Sequence, residues 1–475
     1  MEPKGGAVRR SWPDYAAVWR WHFYAGLFCL PFVCWLAVTG SVYLFRPDIE
    51  AWLDRPYESL HLDGPRAAPS SEARAALAAV PGSTFSHYES PATPTGAAQV
   101  VVAHDGHLFR VYVHPRTLRA MSIGRDDHRP MDLVAHLHGQ LLLGTRGSML
   151  VELAGSWAIV MILTGLYLWF PRNIRRLGGI LYPRLGQHGR LFWRDLHAVT
   201  GLWLSLVALF MLLSGLPWAS SWGSYLTWAR NHWTATAGTP DWPIGGKSPT
   251  GAAIQAAPSP AAGGGSGMPG MTAAEMAAMS APAASASPAR HPGWDLGALD
   301  TVVPVAARLN PPRPVWILPP APGHEDWTVS SRAQDRPQRV TYQVAPGTGA
   351  VVATQTFADL NIVDRVVNVA IATHEGQLFG RLNQAILLLT ATGLMLVSVS
   401  ATVMWWRRRP GGVLGAPASV ARPYFSALLL IVIVPLAIML PMFGLSLLLV
   451  MALDRTLLLR LPATRRWLGL GPRAA

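Results

Sequence analysis

Apolar positions gather into long unbroken runs near Trp21–Phe45, Met149–Phe170, Phe192–Trp218 and Leu382–Trp406. Each is long enough for a helix that crosses a hydrocarbon core of about 30 Å, which takes about 20 residues. A fifth run, Tyr424–Leu459, fits either one tilted helix with a tail or two short helices hinged near Pro435 and Pro441. Two long connections, about 47–147 and 219–380, separate the first run from the second and the third from the fourth. Within them "VYVHPRTLRAM" (Val111–Met121) and "TYQVAPGTGAVV" (Thr341–Val352) each read as a strand, a turn and a second apolar pair, as in a β-hairpin. The pattern predicts an α-helical integral membrane protein with four core transmembrane helices, a C-terminal helical hairpin or single helix, and two small α+β external domains.

Composition agrees. At 51% hydrophobic and 14% charged, with 20 Trp, the chain is too apolar for one soluble domain of 475 residues. Arginines then orient it: Lys4, Arg9, Arg10 and Arg20 precede the first span, Arg172, Arg175, Arg176, Arg184, Arg190 and Arg194 follow the second, and Arg407, Arg408, Arg409 and Arg422 follow the fourth. By the positive-inside rule these segments are cytoplasmic and the long connections external. Arg455, Arg460, Arg465 and Arg466 favour a cytoplasmic C-terminus, hence a closing hairpin and six crossings. On this reading 1–19 is a cytoplasmic tail, 20–46 and 193–218 run outward, and 136–171 and 366–406 run inward with external extensions. External regions occupy 47–135 and 219–365, cytoplasmic loops 172–192 and 407–423, the hairpin 424–460 and a last tail 461–475. The net charge of +13 is topology signal and contact with membrane lipid; no nucleic-acid module is evident. The first run lacks a cleavage pattern and reads as a signal anchor. Cys29 and Cys34 lie inside it, where they cannot bridge external domains and read as small buried apolar residues.

The chain repeats itself. From His138 in "HGQLLLG" a Gly follows at six residues (Gly144), a Trp at thirty-one (Trp169) and an Arg at thirty-four (Arg172); from His374 in "HEGQLFG" the same offsets give Gly380, Trp405 and Arg408. From His22 the offsets four and eighteen give Gly26 and Gly40, and from His197 they give Gly201 and Gly215. The external segments share Val-x-Pro-x-Thr at Val113, Pro115, Thr117 and at Val344, Pro346, Thr348. The protein is two units of helix, small domain, helix. The second unit is lengthened by an Ala, Gly, Pro and Ser-rich tract around Pro249–Arg290, which cannot bury a core and reads as a disordered insertion.

Parallel repeats related by an axis along the membrane normal bring His22 and His197 together at the cytoplasmic mouth, and His138 and His374 at the external mouth. One imidazole from each side of an axis is what six-coordinate haem iron takes. Gly26 and Gly201, one turn along, would leave room for a macrocycle. A histidine at a helix mouth is also an ordinary interfacial residue, and duplication copies a structural His as faithfully as a ligand. Zinc fits less well, since neither pair has further ligands to complete four. His374 to Trp405 would be about 46 Å of straight helix, longer than the core, so the external pair is expected at or above the interface, too far from the other pair for good electron exchange unless the helices tilt or break near Gly144 and Gly380.

These residues carry a resemblance. "HEGQLFGRLNQ", "TGLYLWFPR", "MWWRRRPGG" and the two Val-x-Pro-x-Thr segments resemble the PepSY-associated transmembrane family, which includes iron-regulated inner-membrane proteins and ferric-siderophore reductases, over about 20–410. The resemblance implies PepSY-like periplasmic domains and a multi-pass bacterial inner-membrane reductase with two b-type haems, with His22, His197, His138 and His374 as ligands. His136 is the reserve ligand, and Glu375 and Gln377 would orient an imidazole or face the acceptor. A ferric siderophore or other external metal chelate would be the partner, and a quinol or a cytoplasmic protein the electron donor. Trp19, Trp21, Trp35, Trp169 and Trp405 could shorten the path, though most read as interfacial belt residues. The insertion departs from the family; its Met268, Met271, Met276 and Met279 would suit Cu(I). His104, His107, His114 and His128 read as surface residues or as a metal or proton shuttle. Two rival readings remain: a haem-free protein whose PepSY-like domains restrain an external protease or sensor, and a metal or chelate transporter. No span carries a mid-membrane charge of the kind that lines ion pathways.

Overall fold

The computed structural model describes residues 15–171, 176–233, 294–321, 323–417, 427–458 and 460–469. The insertion with its four methionines, the first fourteen residues, Arg172, Arg175, Arg422 and the last six residues lie outside them. The apolar runs form four long helices: α1 (Tyr15–Tyr43), α5 (Gly144–Trp169), α6 (Arg190–Gly215, extended by a 3-10 turn to Trp218) and α10 (Gly380–Arg408). They close a ring in which α1 packs on α5 and α10, and α6 packs on the same two. Among the described residues these are the helices long and apolar enough to cross a membrane, with a bent C-terminal pair as at most a fifth.

Strands β1 (Thr84–Glu89), β2 (Ala98–His104), β3 (His107–Val113), β4 (Ala120–Arg125), β5 (Val315–Leu318), β6 (Trp327–Ser331), β7 (Val340–Val344) and β8 (Val351–Thr356) come from the two connections. The two expected external domains are in fact one sheet. Its order is β4-β3-β2-β1-β5-β6-β7-β8, and β1 pairs antiparallel with β5 through Tyr88–Ile317 and Glu89–Trp316. Each hairpin expected from the Val-x-Pro-x-Thr segments is present, as β3–β4 and β7–β8, and their turns match: Leu118 (φ 60°) and Gly349 (φ 69°) hold the same left-handed position.

Alternation decides which face of the sheet is dry. Val100, Val102, Val111, Ile317 and Val329 point to the same side and are fully buried against α3 (Pro69–Ala79) and α8 (Leu299–Leu309). Each contributes about 1.5–3 kcal/mol by leaving water. The opposite face is polar and meets the bundle through α2 (Arg46–Asp54) and α4 (Pro130–Gln140). Buried Arg110 on β3 reaches Glu89 at 2.6 Å and Asp126 at 2.8 Å, Tyr112 Oη donates to Asp54 at 2.7 Å, Arg129 meets Asp54 at 3.0 Å, and Arg46 meets Asp132 at 3.1 Å. These pairs fix the sheet over one end of the bundle, and removing one partner of a buried pair costs about 3–5 kcal/mol.

The second and fourth spans do not continue as straight external extensions. The chain breaks after α4 and again after α9 (Ile362–His374), through Leu141, Leu142 and Gly144 in one repeat and Gly376 and Gly380 in the other, all at positive φ. A side chain at Gly147 would lie 1.7 Å from the Gln140 carbonyl, and one at Gly376 would lie 2.8 Å from Leu44, so both fold-backs need glycine. In place of a straight extension that would hold the external pair at or above the interface, these breaks at Gly144 and Gly380 lower His138 and His374 into the mouth of the bundle.

The C-terminal run forms α11 (Ala427–Met439) and α12 (Pro441–Leu453), bent by 119° at Leu440 and Pro441, followed by α13 (Pro462–Trp467). Each arm of 13 residues is about 20 Å long, short of a crossing. Arg20 at the start of α1 donates to Pro417 O at 2.6 Å and to Gly469 O at 3.1 Å, one before the hairpin and one after it. The pair therefore enters and leaves at the same, arginine-rich end of the bundle. Its turn packs Leu440 and Phe443 on Ile159 and Leu216, and the Met439 carbonyl accepts from Nε1 of Trp222 in α7 (Ser220–Trp233) at 3.0 Å. The expected six crossings give way to four spans and this bent pair, because Pro441 interrupts the run halfway.

Candidate functional site

Helix register alone turns His22 of α1 toward α5, and His197 of α6 toward α10. His22 Nδ1 lies 3.0 Å from Met161 O and 3.1 Å from Thr164 Oγ1. His197 Nδ1 lies 3.1 Å from Val397 O and 3.4 Å from Ser400 Oγ. A carbonyl oxygen can only accept, so each Nδ1 carries the proton and each Nε2 keeps its lone pair. The hydroxyls agree, since Thr164 and Ser400 donate their own protons to carbonyls of their own helices. The two rings stand 6.3 Å apart between centroids, with planes at 80°. A metal ion held between two imidazole nitrogens at about 2 Å from each gives a separation of about 6 Å.

The second pair follows the same rule at the sheet end. His138 Nδ1 is 2.9 Å from Thr39 Oγ1, and Thr39 donates to Trp35 O; His374 Nδ1 is 2.8 Å from Ser214 Oγ, and Ser214 donates to Met211 O. Both Nδ1 atoms again donate, leaving Nε2 bare. Glycine lets the rings lie against the spans: a side chain at Gly40 would come within 3.1 Å of His138 Cε1, and one at Gly215 within 3.4 Å of His374 Cε1. At the first pair Gly165 does the same for His22, at 3.0 Å. Burial lowers the His138 pKa to about 4, and burial with the neighbouring His138 lowers that of His374 to about 3. Both are neutral at pH 7, the form that binds a metal. His22 and Gly40 are eighteen residues apart on one helix, so the pairs are separated by about 27 Å along it.

All four rings are partly accessible although the bundle encloses them, and a side chain added at Gly201 would meet nothing within 4 Å. Space is therefore open beside Gly201, as expected, but not beside Gly26, where Met161 Sδ lies 3.7 Å from the place of an added side chain. Among the described residues no three of His, Cys, Asp and Glu gather to hold a metal ion. Two imidazoles facing each other across an open space fit a metal whose in-plane donors come from elsewhere, as in a macrocycle.

Other expected residues fall elsewhere. The His136 carbonyl accepts from the backbone of Leu141 and Leu142 and closes α4; its ring has no partner in either pair. Glu375 caps α9, and Gln377 Nε2 donates to Leu44 O at 3.2 Å, joined there by Gln384 at 3.1 Å. Gln377 thus ties the loop after His374 to the end of α1. Trp169 and Trp405 donate to Ile180 O and Leu414 O, and Trp35 to Leu137 O, so these indoles anchor loops and helix ends. His114 Nδ1 accepts from the backbone of Arg116 and Thr117, and His107 meets Arg125. Cys29 is buried with Sγ 3.5 Å from Ala154 O. The four hydroxyls Thr39, Ser214, Thr164 and Ser400 were not anticipated, nor was fully buried Asp195, which holds Arg184 and Arg194 at 2.6 Å each.

Duplicated span pairs, a shared sheet at one end and two histidine pairs define a multi-pass membrane protein with two candidate centres. The chain belongs to the family described as the PepSY-associated TM region, whose model matches residues 19–408. Comparison with curated proteins gives no match.

Proposed function

We propose that the protein is a b-type haem reductase of the bacterial inner membrane that moves electrons to an external ferric chelate, such as a siderophore, in iron uptake. The observation that carries the reading is the matched set of four imidazoles, each fixed at Nδ1 and open at Nε2. His22 and His197 would hold one haem, and His138 and His374 the other. A bound haem supplies one-electron chemistry at its iron. The acceptors at Nδ1 orient each ring and raise its basicity. Gly40, Gly165 and Gly215 let the rings approach the helices.

The positive-inside rule puts Arg176, Arg184, Arg190, Arg194 and Arg407 in the cytoplasm and the sheet in the periplasm. His138 and His374 then lie at the side from which a ferric chelate arrives, and His22 and His197 at the side of a quinol or cytoplasmic donor. One electron converts the bound ferric ion to the ferrous form, which the chelator holds less tightly. Absorption spectra of the purified protein, oxidised and then dithionite-reduced, test the reading: a Soret band with b-type α and β bands is expected. A colourless preparation from haem-replete cells overturns it. A reporter fused within 249–290 is expected on the periplasmic side, and a cytoplasmic signal overturns the orientation.

A further inference from the structure

The two halves of the sheet meet the bundle through different chemistry. In the first half Arg46, Arg110 and Arg129 are held by Glu50, Asp54, Glu89, Asp126 and Asp132, three guanidinium groups among five carboxylates. Counting from the histidines gives the counterparts in the second half. Glu50 and Asp54 follow His22 by twenty-eight and thirty-two residues, and the same offsets from His197 give Tyr225 and Ala229. Asp126 and Asp132 precede His138 by twelve and six, and the same offsets from His374 give Ile362 and Asn368. None of these four carboxylates is repeated. Arg129, nine residues before His138, is repeated as Arg365. Helix α7 holds the place in sequence from which α2 offers Asp54 to Arg129, but it turns to α5, where Glu152 accepts from Ser221 N at 2.9 Å, and to the hairpin through Trp222. Arg365 is thus left without the side chain that seats its counterpart. Thr341 and Gln343 on β7, matching buried Arg110 and Tyr112 of β3, are partly exposed.

What gathers on this flank is cationic. Arg336, 6% exposed, donates from Nη1 to Asn368 Oδ1 at 3.2 Å, while its Nε has no hydrogen-bond partner among the described residues. The buried Nε of Arg365 and Nε1 of Trp316 have none either. Trp316 lies on the polar face of β5, stacked on His87, with the Arg332 guanidinium carbon 4.7 Å from its ring centre. All three of these atoms can only donate, so they cannot satisfy one another. Gln334 Oε1 and Asp335 Oδ1 are unpaired acceptors nearby in sequence, yet they do not balance the charge. The loop 332–339 and the first turn of α9 carry four arginines and two aspartates, an excess of positive charge where the first half has an excess of negative. Guanidinium forks match carboxylates in shape as well as charge. We propose that this flank binds an anionic ferric chelate that presents carboxylates, with Arg336, Arg365 and Trp316 donating to its oxygens. The proposal rests on the reductase reading above and narrows its substrate to a carboxylate-rich chelate, such as a citrate complex, over a neutral or cationic trihydroxamate. Asn368 and Arg365 precede His374 by about 9 and 14 Å along α9, so the site adjoins the external pair.

The experiment reads haem and chelate separately. The probe is the gallium(III) citrate complex, which carries the charge of the ferric one and takes no electron, titrated calorimetrically into full-length protein in nanodiscs. Saturable binding that weakens as salt rises is expected. Arg365→Gln should weaken it about tenfold, the effect of one hydrogen bond to a charged group, and Arg365→Glu should abolish it, both with wild-type Soret absorbance. Arg74→Gln, which removes a charge from the exposed side of α3, should leave it unchanged. A gallium trihydroxamate should not compete, nor should phosphate at matched ionic strength. Binding that survives Arg365→Glu, or equal binding of citrate without the metal, overturns the proposal; the second result leaves a simple anion site. Haem-loaded protein without Arg365-dependent binding overturns the site alone. Arg365-dependent binding by protein that never takes up haem overturns the reductase reading and leaves a chelate-binding site.

Discussion

Thr39 and Ser214 occupy matching places, yet their removal should not be equivalent. His138 Nδ1 has the Thr39 hydroxyl as its acceptor, at 2.9 Å. His374 Nδ1 has Ser214 at 2.8 Å and, behind it, the Met211 carbonyl, which also interacts with the ring. Thr39→Val keeps the side-chain volume and leaves a buried N–H without a partner, at a cost of about 1–3 kcal/mol. That corresponds to about 5-fold to 150-fold in the affinity of the pair for what it holds. Ser214→Ala leaves His374 the Met211 carbonyl and should cost under about 1 kcal/mol. Pyridine haemochrome of purified variants and a redox titration followed optically give occupancy and midpoint potential. The expected result is partial loss or a clear potential shift of one haem in Thr39→Val, a smaller change in Ser214→Ala, and an untouched second haem in both. Equal effects, or a larger one from Ser214→Ala, would refute the assignment of the acceptors.

His374→Ala and His138→Ala should each remove the same haem, with the double variant little worse than either, because residues acting as one unit are not additive; His22→Ala and His197→Ala should remove the other, and haem loss crossing between the pairs would show them wrongly matched. His87 is buried against Trp316, with ring centroids 4.2 Å apart, and burial, with Arg110 and Arg332 nearby, lowers its pKa to about 3. The unfolded chain takes up this proton near pH 6.5, so stability should fall as pH drops from about 6.5 toward 3, and His87→Phe should flatten part of that slope in thermal unfolding; an unchanged slope would refute it. Arg20→Met should free both flanks of the C-terminal hairpin and speed limited proteolysis after residue 453 severalfold, with α1 to α10 intact; unchanged cleavage would show the tail is held elsewhere.

Much of this arrangement was legible because duplication writes it twice. Matching offsets from four histidines were enough to pair them, and helix length marked Gly144 and Gly380 as places where the spans would have to break to bring the pairs closer. The same counting leads from Thr39 to Ser214 and from Thr164 to Ser400, so the hydroxyl acceptors could have been read as well. The Met161 and Val397 carbonyls could not, since every residue carries one and only the fold decides which is near. Fusion of the strands into one sheet was hidden for a related reason: periodicity says which face of β1 and β5 is dry but not what pairs with their edges. A polar side chain beside a ligand reads as chemistry; that Gln377 also joins Gln384 on the Leu44 carbonyl at the end of α1 is decided only by the fold. The hinge near Pro441 was legible from its proline, but each arm of 13 residues is too short to count as a crossing, so the six expected crossings were two too many.

The pairing of β1 with β5 makes the molecule a dimer whose two halves share one chain. Each half alone would offer an open strand edge, ready to join another copy, and one imidazole of each pair. Tethering the halves closes that edge internally and removes any dependence on concentration. It also frees each half to change by itself, which identical subunits cannot do. Arg20 stands two residues before one histidine and Asp195 two residues before its counterpart, and Trp157 stands opposite Gly393. A symmetric ancestor would have had to accept each of these twice; a single chain can keep a different side chain on each side of its axis, so one flank can be closed by its own C-terminus while the other stays open to the bilayer.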